Sequence, residues 1–177
     1  MRLLLTRHGE TEWNKTNRVL GRSDIPLNNT GVEQAKQMVD ILHDVKICAV
    51  YSSPLKRAYY IGNLIAKDHN LECVVDIRLI EMNFGIFEGV MRNDKKYLQE
   101  KRELFSRYPE GESYMGVAGR VYPFIQDIEK KYNYKDTVLV ITHNGICRVI
   151  ANYFVDMSVE DFVSFSMRNC EIKEFYL

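Results

Sequence analysis

The feature that most constrains the fold of this chain is an alternation of short apolar runs with longer amphipathic segments. Apolar runs of strand length lie at residues 3–6, 47–51, 73–75 and 137–142. Such continuous runs are typical of strands buried on both faces of a parallel sheet. The segments between them repeat their apolar residues every three or four positions, as one face of a helix does. The pattern predicts an α/β fold: a three-layer sandwich with a mainly parallel central sheet flanked by helices.

Signals at helix ends refine this prediction. Thr30 and Glu33 have the spacing of a capping box, which predicts a helix over 31–43. Ser53 followed by Pro54 is typical of an N-cap and a first helical residue. A loop is predicted over 7–29 and a last strand over 170–176. Further helices are predicted over 55–69, 93–107 and 145–154. Another helix is predicted to start after Ser113 and to bend at Pro123.

Length and charge exclude several classes of protein. The 177 residues correspond to a single domain, 1–177, and 24 Lys+Arg balance 24 Asp+Glu. A net charge of zero argues against affinity for nucleic acid or an anionic membrane through bulk positive charge. No apolar run approaches the ~18 residues of a membrane span, and the first apolar run is too short for a signal peptide. We expect a cytoplasmic protein with no nucleic-acid or membrane partner.

The cysteines indicate a reducing compartment. Cys48, Cys73, Cys147 and Cys170 form no C-x-x-C pair, and the first three lie in apolar stretches. These three are therefore predicted to be buried free thiols.

Polar residues follow the ends of the predicted strands. The first strand ends at Arg7 and His8, the fourth ends at His143, and Arg57 lies early in the helix after the second. In open α/β sheets, ligands bind outside the carboxyl ends of the strands. Two imidazoles and two guanidinium groups are therefore expected at one rim of the sheet.

These side chains suit phosphate chemistry. A guanidinium fork matches phosphate oxygens, and a neutral imidazole is a competent nucleophile near pH 7. A departing alkoxide also needs an acid, for which Glu81 is the main candidate, with Glu10 and Glu88 as rivals. Three-ligand zinc binding by His8, His143 and Glu81 is the alternative, although the nearby arginines would repel a cation.

A series of motifs in fixed order carries a resemblance to a known family. The motifs are Thr6-Arg7-His8-Gly9-Glu10-Thr11 with Trp13-Asn14, Gly21 to Leu27, Thr30-Gly31, Ser52 to Ala58, Leu79 to Gly85 with Glu88-Gly89, Gly111-Glu112-Ser113, and Thr142-His143-Asn144-Gly145. They cover nearly the whole chain. The sequence resembles the histidine phosphatase superfamily, in its phosphoglycerate-mutase-like branch.

The resemblance implies roles for individual residues. It implies that His8 is the phosphorylated nucleophile and that Glu81 is the proton donor, and then the base for water. It implies that the phosphate is held by Arg7, Arg57, His143, Asn14 and a backbone N–H at Gly21. The family needs no metal, and we expect no cofactor. Two positions depart from the family pattern: Ile61 replaces a frequent threonine, and Asn144 replaces a glycine. We expect Ile61 to affect helix packing only, whereas Asn144 either contributes to the phosphate site or caps the following helix.

The segment after Gly89 separates two branches of the family. Family mutases carry a long, arginine-bearing insertion there that grips the substrate carboxylate and shelters the phosphoenzyme from water. This chain has only a short stretch before Gly111, so a short helical lid over 90–113 is expected and hydrolysis is favoured. The predicted function is a metal-independent phosphomonoesterase acting on a small phosphorylated metabolite. Mutase-type phosphoryl transfer is the first alternative, and a non-catalytic phospho-ligand-binding module the second.

The lid residues leave the substrate undefined. Tyr97, Tyr108, Tyr114 and the lysines of the lid are expected to shape the leaving-group pocket. The charged residues Lys95, Lys96, Lys101, Arg102 and Arg107 are, as a group, typical of a solvated helix face. The sequence leaves open whether the protein is a monomer or a homodimer.

Overall fold

The computed structural model describes residues 1–177 as one five-stranded sheet with helices on both faces. The strands are β1 (Arg2–Arg7), β2 (Ala49–Ser52), β3 (Cys73–Val75), β4 (Thr137–Thr142) and β5 (Ile172–Tyr176). The α-helices are α1 (Glu12–Lys15), α2 (Asn29–Leu42), α3 (Lys56–Asp68), α4 (Lys95–Glu100), α5 (Tyr114–Lys131), α6 (Asn144–Phe154) and α7 (Val159–Ser164). Short 3₁₀ turns lie at Ile77–Leu79 and Gly85–Phe87.

The strand order is β3-β2-β4-β1-β5. All neighbours pair in parallel except β5, which runs antiparallel to β1. Helices α2 and α3 pack together on one face of the sheet, and α5 and α6 pack together on the other. The predicted three-layer α/β sandwich with a mainly parallel sheet is confirmed.

Both faces of the central strands are apolar because both are covered. In β1, Leu3 and Leu5 belong to the core under α5 and α6, whereas Leu4 belongs to the core under α2 and α3. In β4, Val138 and Leu139 divide between the two cores in the same way. The continuous apolar runs of the sequence follow from this two-sided burial.

The register of β1 and β4 brings the ends of these two strands together. Arg7 lies opposite Thr142, and the His8 amide donates to the Thr142 carbonyl at 3.0 Å. The Ser53 amide, just after β2, donates to the Ile141 carbonyl at 3.1 Å. Residues 8, 53 and 143 therefore follow three adjacent strands at the same rim.

Two predicted helix starts are wrong by a few residues. Helix α2 begins at Asn29, and its cap is Asn28, whose Oδ1 accepts from the Gly31 amide at 2.9 Å, rather than Thr30. Helix α3 begins at Lys56 without a side-chain cap, so Ser53 and Pro54 precede it. Asn28, rather than Thr30, accepts from an amide in the first turn of α2. The Ser53 hydroxyl is bonded to the Leu55 amide and to His143 rather than to an amide of α3.

Other predicted elements are shortened or were missed. The helix expected over 93–107 is only α4, and the rest of that segment is turns. Helix α1 lies inside the predicted 7–29 loop, and α7 lies in a stretch with no predicted element. Helix α5 continues through Pro123, and the bend expected there stays a prediction. Helices α1, α4 and α7 are only four to six residues long, so caps and tertiary contacts stabilise them rather than a long apolar stripe.

The prediction for the cysteines is only partly correct. All four are free thiols, but Cys147 alone is buried, Cys73 is half-buried and Cys48 is exposed. Cys48 precedes β2, where the apolar run has not yet entered the sheet. No helix of the chain combines the length and the apolar character that crossing a membrane requires. The cytoplasmic location and the oligomeric state stay predictions.

We expect Asn28→Ala to lower the free energy of unfolding by about 1 kcal/mol, because it removes the cap of α2. Asn28 Nδ2 also donates to Glu10 Oε1 at 2.8 Å, so this contact to the loop is lost as well. Thr30→Ala is the matched control and should change stability by less than about 0.5 kcal/mol. Urea unfolding of both variants measures the difference. A larger loss of unfolding free energy in Thr30→Ala than in Asn28→Ala would show that Thr30 is the cap.

Candidate active site

Two buried histidines face each other at the carboxyl ends of β1 and β4. The ring centroids of His8 and His143 are 5.1 Å apart. Both side chains are buried, and Arg57, which is fully buried, donates from Nε to His8 Nε2 at 3.3 Å. The predicted cluster of imidazoles and guanidinium groups at one rim is therefore present in the structure.

A backbone contact selects the tautomer of His8. Nδ1 lies 2.7 Å from the Gly9 carbonyl oxygen, which can only accept, so the ring proton resides on Nδ1. The lone pair is then on Nε2, the atom that Arg57 approaches. Burial first, and then the charges of Arg57 and Arg7, hold the pKa of His8 well below its usual value. His8 is thus a neutral imidazole whose unprotonated Nε2 accepts the hydrogen bond from Arg57.

Backbone carbonyls hold Arg57 in place. Its two terminal nitrogens donate to the carbonyls of Ser23 at 2.8 Å and Gly21 at 2.6 Å. The loop that carries these carbonyls is fixed by Glu88, which accepts from the amides of Gly21, at 3.2 Å, and Arg22, at 2.8 Å. Glu88 is therefore a loop anchor. The Gly21 N–H points to Glu88, and its expected role as a donor to substrate stays a prediction.

Arg7 is the second buried guanidinium group at the rim. One terminal nitrogen donates to the Met167 carbonyl at 2.8 Å, whereas Nε has no hydrogen-bond partner. Burial lowers the pKa of Arg7, and that of Arg57, to about 10. Neither residue forms an ion pair within the chain. The site therefore holds positive charge that an anion could neutralise.

His143 is oriented by a serine that sequence analysis had assigned to a helix cap. His143 Nε2 is hydrogen-bonded to Ser53 Oγ at 2.7 Å, and its buried Nδ1 has no partner. Burial, Arg57 and His8 hold the pKa of His143 well below its usual value. The position of Ser53 at the end of β2 was the signal that could have revealed this contact.

Glu81 reaches the site from the loop after β3. Its two carboxyl oxygens accept from the amides of Met82 at 2.8 Å and Gly145 at 3.1 Å. Burial raises the pKa of Glu81, although these hydrogen bonds oppose the rise. Thr142 Oγ1 donates to the Leu79 carbonyl at 2.7 Å and ties this loop to β4. A buried carboxyl with a raised pKa, close enough to Arg57 to be influenced by its charge, is suited to proton transfer.

A network under Glu81 was missed by sequence analysis. Glu112 accepts from Arg22 at 2.8 Å, from Arg120 at 3.2 Å and from the Asn83 amide at 2.9 Å. Arg22 therefore forms an ion pair rather than standing free in the loop. Arg120 also donates to the carbonyl of Arg78. The motif that contains Glu112 was recognised, but nothing in its spacing shows that it braces the loop of Glu81.

The two asparagines of the predicted site are hydrogen-bonded within the chain. Asn14 Oδ1 accepts from the Thr11 amide at 3.2 Å and from Asn169 Nδ2 at 3.4 Å. Asn144 is the first residue of α6 rather than its cap, and its Oδ1 accepts from the Met167 amide at 2.9 Å. Both lie beside the cluster, and their contact with phosphate stays a prediction.

A cavity of about 80 Å³ opens between Glu81 and the short lid. Its lining includes two of the three predicted tyrosines, Tyr97 and Tyr114, whereas Tyr108 packs against Tyr97 from behind. Lys101 also lines it, so the prediction that the charged residues of 95–107 form a solvated face is wrong at this lysine. The side chain of Lys101 is half-buried.

The three residues of the alternative zinc site do not assemble as metal ligands. The chain holds no group of three or more His, Cys, Asp or Glu side chains with metal-binding geometry. Both oxygens of Glu81 face backbone amides instead.

A parallel α/β sandwich with neutral imidazoles, uncompensated guanidinium groups and a protonatable carboxyl at its strand ends defines a phosphate-handling protein. The family model described as histidine phosphatase superfamily, branch 1, matches residues 3–177. The chain belongs to this superfamily.

Named relatives agree with this assignment. Phosphoserine phosphatase 1 of Hydrogenobacter thermophilus is 30% identical over 100% of this chain and 87% of its own length. Adenosylcobalamin/alpha-ribazole phosphatase of Escherichia coli is 31% identical over 90% of this chain and 82% of its own length. The fold matches the native structure of a mycobacterial glucosyl-3-phosphoglycerate phosphatase with a TM-score of 0.87 at 24% identity, covering 98% of this chain and 88% of that one.

We expect Gly145→Ala to lower phosphatase activity by about 100-fold, because a misplaced catalytic group has an effect of this order. A Cβ at this position would lie 2.6 Å from Glu81 Oε1, so the carboxyl would have to move. Gly119→Ala is the matched control, since its Cβ would meet nothing within 4 Å. Kinetics with an alkyl phosphate measure both, and wild-type rates for Gly145→Ala would show that the position of Glu81 is unimportant.

Proposed function

We propose that this protein is a metal-independent phosphomonoesterase that hydrolyses a small phosphorylated metabolite through a phosphohistidine at His8. The observation that carries the proposal is the unprotonated Nε2 of His8, which is set by the Nδ1 contact to Gly9 and accepts a hydrogen bond from Arg57 Nε at 3.3 Å. An unprotonated nitrogen directed at cationic groups is placed to attack a phosphorus atom whose oxygens those groups bind.

In the first step His8 Nε2 attacks phosphorus and the bond to the ester oxygen breaks. Arg7, Arg57 and His143 would bind the three non-bridging oxygens, and the two guanidinium groups would balance their charge. The alkoxide leaves with the electron pair of the broken bond and takes a proton from the Glu81 carboxyl. The products of this step are the alcohol, a carboxylate at Glu81 and a phosphorylated His8.

In the second step Glu81 acts in the reverse direction. Its carboxylate removes a proton from water as the water oxygen attacks phosphorus, and the nitrogen–phosphorus bond breaks. Inorganic phosphate leaves, and both His8 and Glu81 return to their starting protonation states. The raised pKa of Glu81 supports both halves of the cycle, because a carboxyl that titrates nearer to the working pH can both give and take a proton.

The short lid supports hydrolysis over transfer to a second alcohol. Between Gly89 and Gly111 the chain forms only α4 and turns, with Phe105 and Arg107 exposed. Little protein is available there to keep water from a phosphohistidine. The relatives named as phosphatases favour the same conclusion.

The phosphoenzyme provides a direct test. Brief incubation with a labelled phosphomonoester should give an acid-labile, base-stable protein phosphate, and His8→Ala should lose both this label and the activity. His43→Ala is the matched control, because His43 is an exposed histidine at the end of α2, paired with Asp68. Turnover by His8→Ala at the wild-type rate would refute the mechanism, and isomerisation of 3-phosphoglycerate without phosphate release would place the protein among the mutases. Activity should survive EDTA.

The dependence on pH tests Glu81. His8 must be neutral, and because its pKa is lowered, activity should persist well into the acid range before it falls. Glu81 must be protonated to release a poor leaving group, so activity on alkyl phosphates should fall as pH rises through its raised pKa. We expect a more acidic optimum for alkyl phosphates than for p-nitrophenyl phosphate, whose leaving group needs little protonation.

Glu81→Gln should remove this difference and slow the hydrolysis of alkyl phosphates by about 100-fold or more. Equal losses on both substrates would contradict the role of Glu81.

A further inference from the structure

Ser53, just after β2, is held in place on several sides. Its amide donates to the Ile141 carbonyl at 3.1 Å, and its carbonyl accepts from Ser52 Oγ at 3.0 Å. Its side-chain oxygen accepts from the Leu55 amide at 3.3 Å and lies 2.7 Å from His143 Nε2. The residue is fully buried, so the proton of its hydroxyl group needs an acceptor within the protein.

The Leu55 amide decides how the Ser53 hydroxyl is used, because an amide N–H can only donate. If the hydroxyl oxygen also accepted a proton from His143 Nε2, its own proton would be buried without an acceptor. Such an unpaired donor is costly in a protein interior. The hydroxyl therefore donates to Nε2, and the ring proton of a neutral His143 is on Nδ1.

Nδ1 of His143 is buried and has no hydrogen-bond partner in the chain. Burial first, and then the charges of Arg57 and His8, hold the pKa of His143 low, so the ring is neutral near pH 7. Because Nε2 carries no proton, Nδ1–H is the only hydrogen-bond donor that this ring offers. A buried N–H without an acceptor indicates that an atom of a ligand completes the hydrogen bond.

His8 and His143 thus use the same tautomer for opposite purposes. In His8 the Gly9 carbonyl binds Nδ1–H and leaves Nε2 unprotonated. In His143 the Ser53 hydroxyl binds Nε2 and leaves Nδ1–H. The ring centroids are 5.1 Å apart, so one phosphoryl group between them would meet a nucleophilic nitrogen on one side and a donor on the other.

We propose that Ser53 is a positioning residue, whose hydroxyl fixes the tautomer of His143 so that Nδ1–H donates to a phosphoryl oxygen. This inference rests on the proposed function and adds to it a residue that touches no reacting atom. The other tautomer would direct a lone pair at an anionic oxygen, which is repulsive. Ser53 therefore acts on the phosphoryl group only through the imidazole of His143.

Nitrogen NMR of the histidine-labelled wild-type protein tests the tautomer directly, because protonated and unprotonated ring nitrogens of imidazole have well-separated chemical shifts. The signals of His143 are those that disappear in His143→Asn. We expect Nδ1 to be the protonated nitrogen in the wild type, and Ser53→Ala to increase the fraction protonated at Nε2. A wild-type ring protonated at Nε2 would overturn the inference, whether or not Ser53→Ala folds well.

Kinetics test the consequence for phosphate binding. Ser53→Ala should raise the inhibition constant of inorganic phosphate about 10-fold and lower kcat/KM by a similar factor, as for a lost hydrogen bond to a charged group. Because the contact is to the phosphoryl group, the loss should be equal for p-nitrophenyl and alkyl phosphates. Ser52→Ala is the matched control, since it removes a neighbouring buried hydroxyl that contacts the Ser53 carbonyl rather than an imidazole. Both constants of this control should stay close to those of the wild type.

The outcomes separate this inference from the proposed function. A wild-type inhibition constant for phosphate in Ser53→Ala would overturn the role of Ser53 and leave the His8 phosphoenzyme intact. A loss confined to alkyl phosphates would connect Ser53 with proton transfer by Glu81 and would also overturn it. Absence of a phosphoenzyme would refute the mechanism alone. The tautomer of His143 and the calorimetric affinity for inorganic phosphate, which need no turnover, would then still decide the role of Ser53.

Discussion

The arrangement of this protein depends on guanidinium groups buried without carboxylate partners. Arg7, Arg57 and Arg148 are each at most 9% exposed. Taking a cation out of water costs several kcal/mol even after the surroundings relax, and a carboxylate would normally offset this cost. Here backbone carbonyls take its place, from the loop after α1 and from the segment before β5. The backbone around the rim therefore stabilises the buried guanidinium groups without cancelling their charge, which stays available to bind an anion.

This solvation by carbonyls couples distant parts of the chain to one histidine. The carbonyls that bind Arg57 depend on Glu88, and the loop that carries Glu81 depends on Thr142 and on Glu112. The neutral state of His8 depends in turn on its burial and then on the charge of Arg57, which together lower its pKa. A change in the supports of Arg57 would act through the electrostatics of His8 Nε2, and a change in the supports of the Glu81 loop would act through the position of the Glu81 carboxyl.

The sheet could be predicted from the sequence because burial on both faces requires a continuous apolar run in β1 and in β4. The identity of the rim residues followed from the rule for strand ends and from the resemblance to a family. The role of Ser53 was hidden by a local signal for a helix cap, although its position at a strand end indicated the rim. The roles of Glu112 and Lys101 could not be read from the sequence, because they depend on contacts with residues distant in sequence, such as Glu112 with Asn83.

The place of β1 in the sheet also orders events during synthesis. β1 is made first, yet its hydrogen-bonding partners β4 and β5 are the last two strands of the sheet to be made. The carbonyl that binds Arg7 and the Asn169 amide that donates to the His8 carbonyl at 2.8 Å come from the same late segment. A ribosome-bound chain thus carries His8, the proposed nucleophile, at the end of an unpaired strand for most of translation, and such long-range pairing is slow to form. The site at the rim therefore forms only when β4 and β5 pair with β1, so activity is expected to appear in one late step of folding.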